Sequence, residues 1–408
     1  MPRGSNLERV SAFNQAVVLD LVRRSESGMS RVELIGATGL STQTVSNIAR
    51  RLLDLGLILE SGKVHVPQGK PRTTLTIDPK SKYAVGAHLD PSMLTFVLLD
   101  LAGTVVHRKH LPVVAVAGPE ETVARIAAAI EDLISETDIP RTRVLGVGIA
   151  APGPIEFDQG AVVGPPMLTG WERVELRESL GKATGFPVFL DKDSAAAAHA
   201  ELWVRDKRSD QNFAFVYLGS GVGAAVVMNG EVVRGSSNNV GEIGHFSTGE
   251  GGRLCGCGRK GCLGISIMPV ELVNDAVVKG ILSGPVDDSD LRQITDHFHK
   301  LAALADAGDQ SASSIFQEAA DRLARAVEDI ANLLDVDGIV FGGPSWPPVG
   351  TRYLEVLHAA LANRLAMGMI HEVELVGSVL GEDITAVGAA CIVLDHVLAP
   401  RSGGLLLE

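Results

Sequence analysis

The chain has 408 residues, of which 46% are hydrophobic and only 4% aromatic, so it can form two or three domains with aliphatic cores. No apolar run reaches the length of a membrane span, the first residues do not resemble a signal peptide, and four cysteines provide no disulfide framework. We therefore expect neither a membrane protein nor a disulfide-rich secreted one, but a protein of the reducing cytoplasm.

The net charge of −13 is distributed unevenly along the chain. Residues 1–82 hold 12 Lys and Arg against 7 Asp and Glu, a local net charge of +5, so the remainder carries −18. A small basic head on a large acidic body predicts that only the head binds a polyanion.

Three helices are predicted in the head. Apolar residues at helical spacing predict the first within 13–24, and Ser30 begins a Ser-x-x-Glu capping box for the second, which Gly39 ends. Ser41 is a suitable N-cap for the third helix. The buried stripe of this third helix is predicted to contain Val45, Ile48, Leu52 and Leu55.

The opposite face of the third helix carries amides and cations typical of a recognition helix. Gln and Asn can read adenine edges, while Arg can read guanine or hold phosphate. Two β-prone runs after Gly56 indicate a wing, and its cationic tip suits a minor groove. A merely solvated helix face is the alternative. We predict that residues 1–82 form a winged helix-turn-helix domain that binds double-stranded operator DNA through Gln43, Thr44, Asn47, Arg50, Arg51, Lys70 and Arg72.

Strands and helices alternate through the body and predict an α/β fold. Three strands with tight turns follow Tyr83, and an amphipathic helix is predicted at 119–137 before a buried strand at 144–155. A Gly-rich turn at 219–223 joins two further strands. Such a turn can cradle phosphate through backbone N–H groups, although alone it is a weak signal.

A metal site is predicted at 239–262, where three of the four cysteines and a histidine fall within eighteen residues. Thiolate and imidazole are ligands that Zn²⁺ prefers, and four protein ligands are typical of a structural site. Unrelated buried cysteines beside a surface histidine are the alternative. We predict one structural Zn²⁺ held by His245, Cys255, Cys257 and Cys262.

Several motifs of the body together resemble the ROK family, which groups repressors, uncharacterised reading frames and sugar kinases. The resemblance covers residues 83–398, and the head resembles that of the family's repressor branch. It implies a two-lobed, actin-like sugar-kinase fold with a ligand between the lobes, a zinc loop beside it, and homodimers or higher homo-oligomers. The lobes would be 83–195 with 387–400, and 196–386. The matching motifs are APGPIEFDQGAVVGPP, LTGW, VFLDKDSAAAAHAE, LGSGVGAAVVMNGEVVRG, NVGEIGH, CGCGRKGC and IVFGGP.

The resemblance also shows which kinase parts are altered. The family's first phosphate loop is Asp-x-Gly-Gly-Thr, but here Asp90 is followed by Pro91, Ser92 and Met93. Without those glycines the backbone cannot approach phosphate closely. The general base corresponds to Asp193, which has the alternative role of capping its alanine-rich helix. We therefore expect the chain to have lost kinase activity.

The sugar-binding set implied by the family is also altered. Glu242 and His245 remain, whereas Lys192, Met167 and Gly264 replace the Asn before the base, the Asn of Pro-Asn-Leu and the Glu of Gly-Cys-Leu-Glu. If Lys192 faces the cleft, it favours an acidic sugar or a sugar phosphate. If it pairs with Asp191 or Asp193, that preference disappears.

These features favour a transcriptional regulator, most simply a repressor of carbohydrate-related genes, with a carbohydrate effector. Two alternatives remain open. One is an ATP-dependent sugar kinase carrying a DNA-binding head, and the other is a constitutive DNA-binding protein with a vestigial body.

Overall fold

The computed structural model describes residues 7–64, 71–112, 118–168, 170–204, 212–249, 253–284, 286–362 and 364–398. The head contains three helices and a three-stranded antiparallel sheet of order β1-β3-β2. Its elements are α1 (Leu7–Arg24), β1 (Met29–Ser30), α2 (Arg31–Thr38), α3 (Thr42–Asp54), β2 (Ile58–Val64) and β3 (Arg72–Ile77).

The predicted helix signals of the head are confirmed. The Ser30 hydroxyl accepts the N–H of Glu33, whose carboxylate accepts the N–H of Ser30, so both halves of the capping box form. Gly39, at φ +68°, ends α2 in the left-handed region, and Ser41 caps α3. The predicted stripe is right for Val45, Ile48 and Leu52 but wrong for Leu55, which is exposed because α3 ends at Asp54.

The first body sheet has the order β6-β5-β4-β7-β10. Strands β4, β5 and β6 are antiparallel neighbours, while β7 and β10 add in parallel. Its elements are β4 (Tyr83–Leu89), β5 (Met93–Asp100), β6 (Val105–Pro112), α4 (Pro119–Ser135), a 3₁₀ turn (Arg141–Arg143), β7 (Val144–Ala151), the small strands β8 (Ile155–Glu156) and β9 (Ala161–Val162), α5 (Leu176–Thr184), β10 (Val188–Lys192) and α6 (Asp193–Val204).

The second body sheet repeats this arrangement with the order β13-β12-β11-β14-β15. Again three antiparallel strands are followed by two parallel ones. The elements are β11 (Phe213–Leu218), β12 (Val222–Met228), β13 (Glu231–Val232), a 3₁₀ turn (Ile243–His245), α7 (Gly264–Ile267), α8 (Pro269–Val278), α9 (Leu291–Asp306), α10 (Gln310–Leu334), β14 (Gly338–Gly342), α11 (Gly350–Leu361), β15 (Glu374–Gly377), a 3₁₀ turn (Gly381–Asp383) and α12 (Ile384–Leu398).

Two helices at the centre of the body pack closely because glycines allow it. A Cβ at Gly86 of β4 would lie 1.9 Å from the carbonyl oxygen of Ala386, so only glycine lets α12 lie against the first sheet. A Cβ at Gly388 would lie 1.7 Å from the carbonyl oxygen of Ala196, so α12 and α6 touch through their backbones. The two central helices therefore form one packed unit, with α6 also contacting the second sheet.

The α/β, two-sheet fold with a helix-turn-helix head agrees with the expectation from sequence. One buried cluster joins residues of α1–α3 to residues of α6, α12 and both body sheets, so the head packs on the body. Our exact limits for the head and the two lobes stay predictions. None of the helices in the described ranges is both long and apolar enough to cross a membrane.

Candidate effector cleft, metal loop and DNA-binding head

The four predicted metal ligands meet in one loop. Their candidate ligand atoms all lie within 4.8 Å of one another. Cys255 Sγ is 3.7 Å from His245 Nδ1, and Cys257 Sγ is 3.6 Å from Cys262 Sγ. Tetrahedral zinc with ordinary Zn–S and Zn–N bonds requires ligand separations of about 3.4 to 3.8 Å. The cluster therefore has a geometry that fits a metal ion of this kind.

The backbone of the loop favours anionic sulfur at one position. The Cys255 N–H donates to the carbonyl of Arg259 at 2.8 Å, and Gly258 takes φ +85° in the turn between them. The backbone N–H and the guanidinium of Arg259 lower the pKa of Cys257 to about 6, whereas burial raises the pKa of Cys262 to about 11. A divalent cation would favour the thiolate of both cysteines.

Asp193 lies at the carboxyl end of β10, where the resemblance to the family implies the effector cleft. It is the first residue of α6 and directly follows β10, whose carboxyl end lies beside that of the parallel strand β7. Burial raises its pKa to about 7, while the charge of Lys192 and the N–H of Ser194, at 2.6 Å, act in the opposite direction. A carboxyl group whose pKa is raised by burial suits either a base or a sugar-binding group.

Lys192 forms the predicted ion pair, but the expected partner was wrong. Its side chain is only 5% exposed, and its Nζ binds Glu242 Oε1 at 2.5 Å and the carbonyl of Val240 at 3.2 Å. Among the described contacts, neither Asp191 nor Asp193 forms an ion pair with the Lys192 ammonium, and Asp191 instead binds Arg234 at 2.6 Å. The Lys192 charge is thus neutralised by a residue fifty positions away and on the other side of the cleft.

The remaining candidate effector residues lie at different distances from this pair. Glu242 immediately precedes the 3₁₀ turn that His245 ends, so one short turn connects the cleft to the metal loop. Gly264 begins α7 and packs against Gly244 of that turn. Met167 is 41% exposed at φ +67°, and among the described residues no hydrogen bond or ion pair joins its side chain to this group.

Two contacts across the cleft were missed by sequence reasoning. The Asn239 side chain accepts the N–H of Ile155 at 2.8 Å and donates to its carbonyl at 2.9 Å, which joins the segment before Glu242 to β8. Asn239 belongs to the NVGEIGH motif. The motif therefore indicated that this segment is part of the site, but it did not indicate that Ile155 is the partner of Asn239. The second contact is made by Asp90.

Asp90 is buried and holds the Gly-rich turn of the second sheet. Its carboxylate accepts the hydroxyls of Ser92 at 2.6 Å and Ser220 at 2.7 Å, with the backbone N–H groups of both at 2.9 and 3.4 Å. The Tyr217 hydroxyl donates to it at 3.3 Å. Burial raises the pKa of Tyr217 and lowers the pKa of neighbouring His88 to about 4, so both side chains are neutral near pH 7.

The predicted reading face of α3 is available to a partner. Gln43, Asn47, Arg50 and Arg51 are exposed, and Gln43 Nε2 donates to Asn47 Oδ1 at 3.0 Å. Thr44 is half-buried, with its hydroxyl 2.8 Å from that of the cap Ser41.

The wing is an antiparallel pair of β2 and β3. Arg72 begins β3 and is half-buried. Lys70, the other predicted wing contact, lies outside the described residues.

Comparisons with known proteins agree with this architecture. The family model described as "ROK family" matches residues 90–396. The xylose repressor of Bacillus subtilis is 26% identical over 394 residues, covering 95% of this chain and 97% of its own. A glucokinase of Halalkalibacterium halodurans is 30% identical over 272 residues, covering 64% of this chain and 80% of its own.

Among solved structures, a ROK family transcriptional regulator described as a homologue of the Escherichia coli MLC protein superposes with a TM-score of 0.78. At 24% identity, covering 96% of this chain and 98% of that one, it supports the fold of head and body together. The family model spans well over half of the sequence. The chain therefore belongs to the ROK family.

Proposed function

We propose that this chain is a sugar-responsive, DNA-binding transcriptional repressor. The carrying observation is the exposed amide and arginine face of α3 on a winged helix-turn-helix head that packs onto a ROK body. The similarity to a xylose repressor extends over 95% of the chain and so includes this head, whereas the similarity to a glucokinase covers only 64%. A cytoplasmic location is part of the same proposal.

The coupled amides of Gln43 and Asn47 would read base edges. Their mutual hydrogen bond leaves the Gln43 carbonyl as an acceptor and the Asn47 NH₂ as a donor, the pair of functions that adenine requires in the major groove. Arg50 would reach guanine or phosphate, with Arg51, Lys70 and Arg72 on the DNA backbone or in the minor groove. In a homodimer the two α3 helices would enter major grooves about 34 Å apart.

Selection of bound sequences from a random DNA pool tests this function. The parent is expected to enrich a near-palindromic site, and Asn47→Ala should lose about 1–3 kcal/mol of discrimination at one position of each half-site. Gln317→Ala removes an exposed amide of α10 and is the matched control. Failure to enrich any site, or equal discrimination by Asn47→Ala and the parent, would contradict the assignment of α3 as the reader.

The cleft would bind the effector through Asp193, Glu242 and His245, with Lys192, Met167 and Gly264 around them. Because Glu242 neutralises the Lys192 charge and Asp193 has a pKa of about 7, the site carries little net charge near neutrality. This favours a neutral sugar over the acidic sugar or sugar phosphate that an unpaired Lys192 would attract. Calorimetry with matched neutral and phosphorylated sugars distinguishes the two.

The arrangement around Asp90 argues against the kinase alternative. Its carboxylate already takes the N–H groups of Ser92 and Ser220, the kind of donors that a phosphate would need. A nucleotide would have to displace this carboxylate and meet its charge. We expect no ATP turnover with D-glucose or D-xylose in a coupled assay. Sugar-dependent turnover that Asp193→Asn abolishes would instead establish a kinase.

The cluster of His245, Cys255, Cys257 and Cys262 would hold one structural Zn²⁺. Its ligand types and separations suit tetrahedral zinc, and four protein ligands leave no open position for chemistry. The metal would brace the loop that follows Glu242. With Nδ1 of His245 directed to the metal, Nε2 is the ring nitrogen left to orient a hydroxyl in the cleft.

A further inference from the structure

Besides the shared apolar cluster, a stacked cation joins the head to the body. The Arg23 guanidinium of α1 lies 3.7 Å from the ring centre of Trp203 on α6, and the Arg23 side chain is only 7% exposed. Its Nη2 also binds Asp20 at 3.0 Å. Burial lowers the pKa of Arg23, while the charges of Asp20 and Asp395 act in the opposite direction. Arg23 therefore joins α1 of the head to α6 of the body.

The helix under Arg23 begins in the cleft. Asp193 is the first residue of α6 and Trp203 the eleventh, a separation of about 15 Å along one helix axis. Helix α12 lies against α6 at the Gly388–Ala196 contact and carries Asp395 near its end. A displacement at the Asp193 end of this pair therefore has a rigid path to the seat of Arg23.

A chain of polar contacts follows the same route. Arg234 Nη1 donates to Asp191 at 2.6 Å and its Nη2 to His199 Nε2 at 2.9 Å. Arginine can only donate, so Nε2 is the acceptor and neutral His199 carries its proton on Nδ1. That nitrogen lies 3.8 Å from Asp395 of α12, and His199 stands four residues before Trp203 on α6, so it lies one helical turn from the ring that stacks on Arg23.

At the cleft, this series of polar contacts begins in the segment 234–242. The segment begins with Arg234, contacts the first lobe through Asn239 and ends with Glu242, the partner of Lys192. Asp191, held by Arg234, directly precedes Lys192 in β10. Glu242 and Arg234 are only eight residues apart in this segment. A molecule that moves Glu242 away from Lys192 is therefore expected to move Arg234 as well.

We propose that the contacts Arg234–Asp191, Arg234–His199 and His199–Asp395 transmit the state of the cleft to the seat of Arg23, and so set how firmly α1 holds the head. The proposal deepens the proposed function and rests on it, because it names the route by which an effector would change DNA binding. A purely local fastening by Arg23 and Trp203 would make no use of Arg234.

Hydrogen exchange on the full-length protein tests the route without sugar or DNA. In Arg234→Gln the α1 amides are expected to exchange about tenfold faster than in the parent. Arg234→Lys keeps the positive charge but cannot contact Asp191 and His199 at once. Its α1 amides should therefore exchange at a rate between those of the parent and Arg234→Gln. Arg173→Gln breaks an exposed ion pair of the same body with Glu156 and should leave α1 unchanged.

Two results would overturn the proposal. One is α1 exchange within twofold of the parent in Arg234→Gln. The other is equal acceleration in β5, which would mean general loosening of the body. If Arg234→Gln does not fold, the same comparison is made with Arg234→Lys. Circular dichroism and the metal content show whether each variant is folded.

A second arm uses D-xylose and D-glucose with the selected DNA. If either sugar weakens DNA binding by the parent, Arg234→Lys should bind that sugar with the affinity of the parent. The fold-change that the sugar causes in DNA affinity should, however, be at least five times smaller in Arg234→Lys than in the parent. An undiminished effect would refute the route. If neither sugar binds or acts, the sugar-sensing part of the proposed function loses its support, while the exchange rates of α1 still judge the coupling.

Discussion

Removing either member of the Lys192–Glu242 pair should have unequal effects on stability. Lys192 is 5% exposed while Glu242 is 55% exposed. Glu242→Gln leaves a buried ammonium without its counter-ion, whereas Lys192→Met leaves a carboxylate that water can solvate. We therefore expect Glu242→Gln to be the more destabilising change, and Lys192→Met with Glu242→Gln together to recover most of the loss.

The magnitude follows from the geometry. A nitrogen–oxygen distance of 2.5 Å corresponds to roughly 7 kcal/mol of Coulomb attraction at an effective dielectric constant near 20, most of which desolvation offsets. Breaking a fully buried pair costs about 3–5 kcal/mol, and the exposure of Glu242 reduces this to about 2 kcal/mol. Lys192→Met, which keeps the apolar stem, should cost less than about 1 kcal/mol.

Differential scanning calorimetry at fixed protein and zinc concentrations measures these effects. About 2 kcal/mol should lower the Tm of a lobe of this size by about 4–8 °C in Glu242→Gln. Glu178→Gln, which breaks the exposed pair with Lys182, is the control and should leave the Tm within about 2 °C. A Tm for Lys192→Met as low as that of Glu242→Gln would refute the argument from unequal burial.

Three further predictions concern single side chains. Cys257→Ser should abolish the one zinc per chain that we expect by elemental analysis, whereas Cys391→Ser, buried outside the loop, should retain it; absence of zinc from the parent would contradict the site. Burial raises the folded-state pKa of Asp193 from 3.8 to about 7, so the free energy of unfolding should fall as the pH rises from about 4 to about 7 and then level off. Thermal unfolding of Asp193→Asn over this pH range should lack that fall. A pH profile identical to that of the parent would argue against the raised pKa. Met167→Asn should raise the Tm slightly, by the equivalent of about 0.5–1 kcal/mol, because Asn tolerates φ +67° better, while fully exposed Met369→Asn should have no effect; a lower Tm for Met167→Asn would mean that its side chain packs usefully.

The local features of the chain could be predicted from its sequence. The caps Ser30 and Ser41 and the end of α2 at Gly39 depend on residues within one helical turn, and they are confirmed. The metal cluster is similar, because its ligands fall within eighteen residues and glycines allow the loop to close. In these cases the interacting residues are close in sequence, so their spacing along the chain already predicts that they lie close together in space.

The contacts that define the cleft could not be predicted in this way. Lys192 and Glu242 are fifty residues apart, and Asn239 and Ile155 are eighty-four apart. Short-range charge pairing favoured the neighbouring aspartates, but β10 directs Lys192 across the cleft and Asp191 to Arg234. Which carboxylate neutralises a buried lysine depends on how two sheets face each other, and local spacing does not contain that information.

Asp90 joins the two body sheets at the Gly-rich turn that the sequence marked as a candidate phosphate site. The carboxylate belongs to the turn between β4 and β5 of the first sheet, whereas Ser220 and Tyr217 belong to the second sheet. Donors that would otherwise be left unsatisfied in a dry cleft are satisfied by this internal anion. Lys192–Glu242, Asn239–Ile155 and Arg234–Asp191 are further polar contacts that join the segment 234–242 to the first half of the body. Among these contacts, the Lys192–Glu242 pair is the one that we expect a small molecule to exchange for its own, because Glu242 is 55% exposed and its segment leads to Arg234.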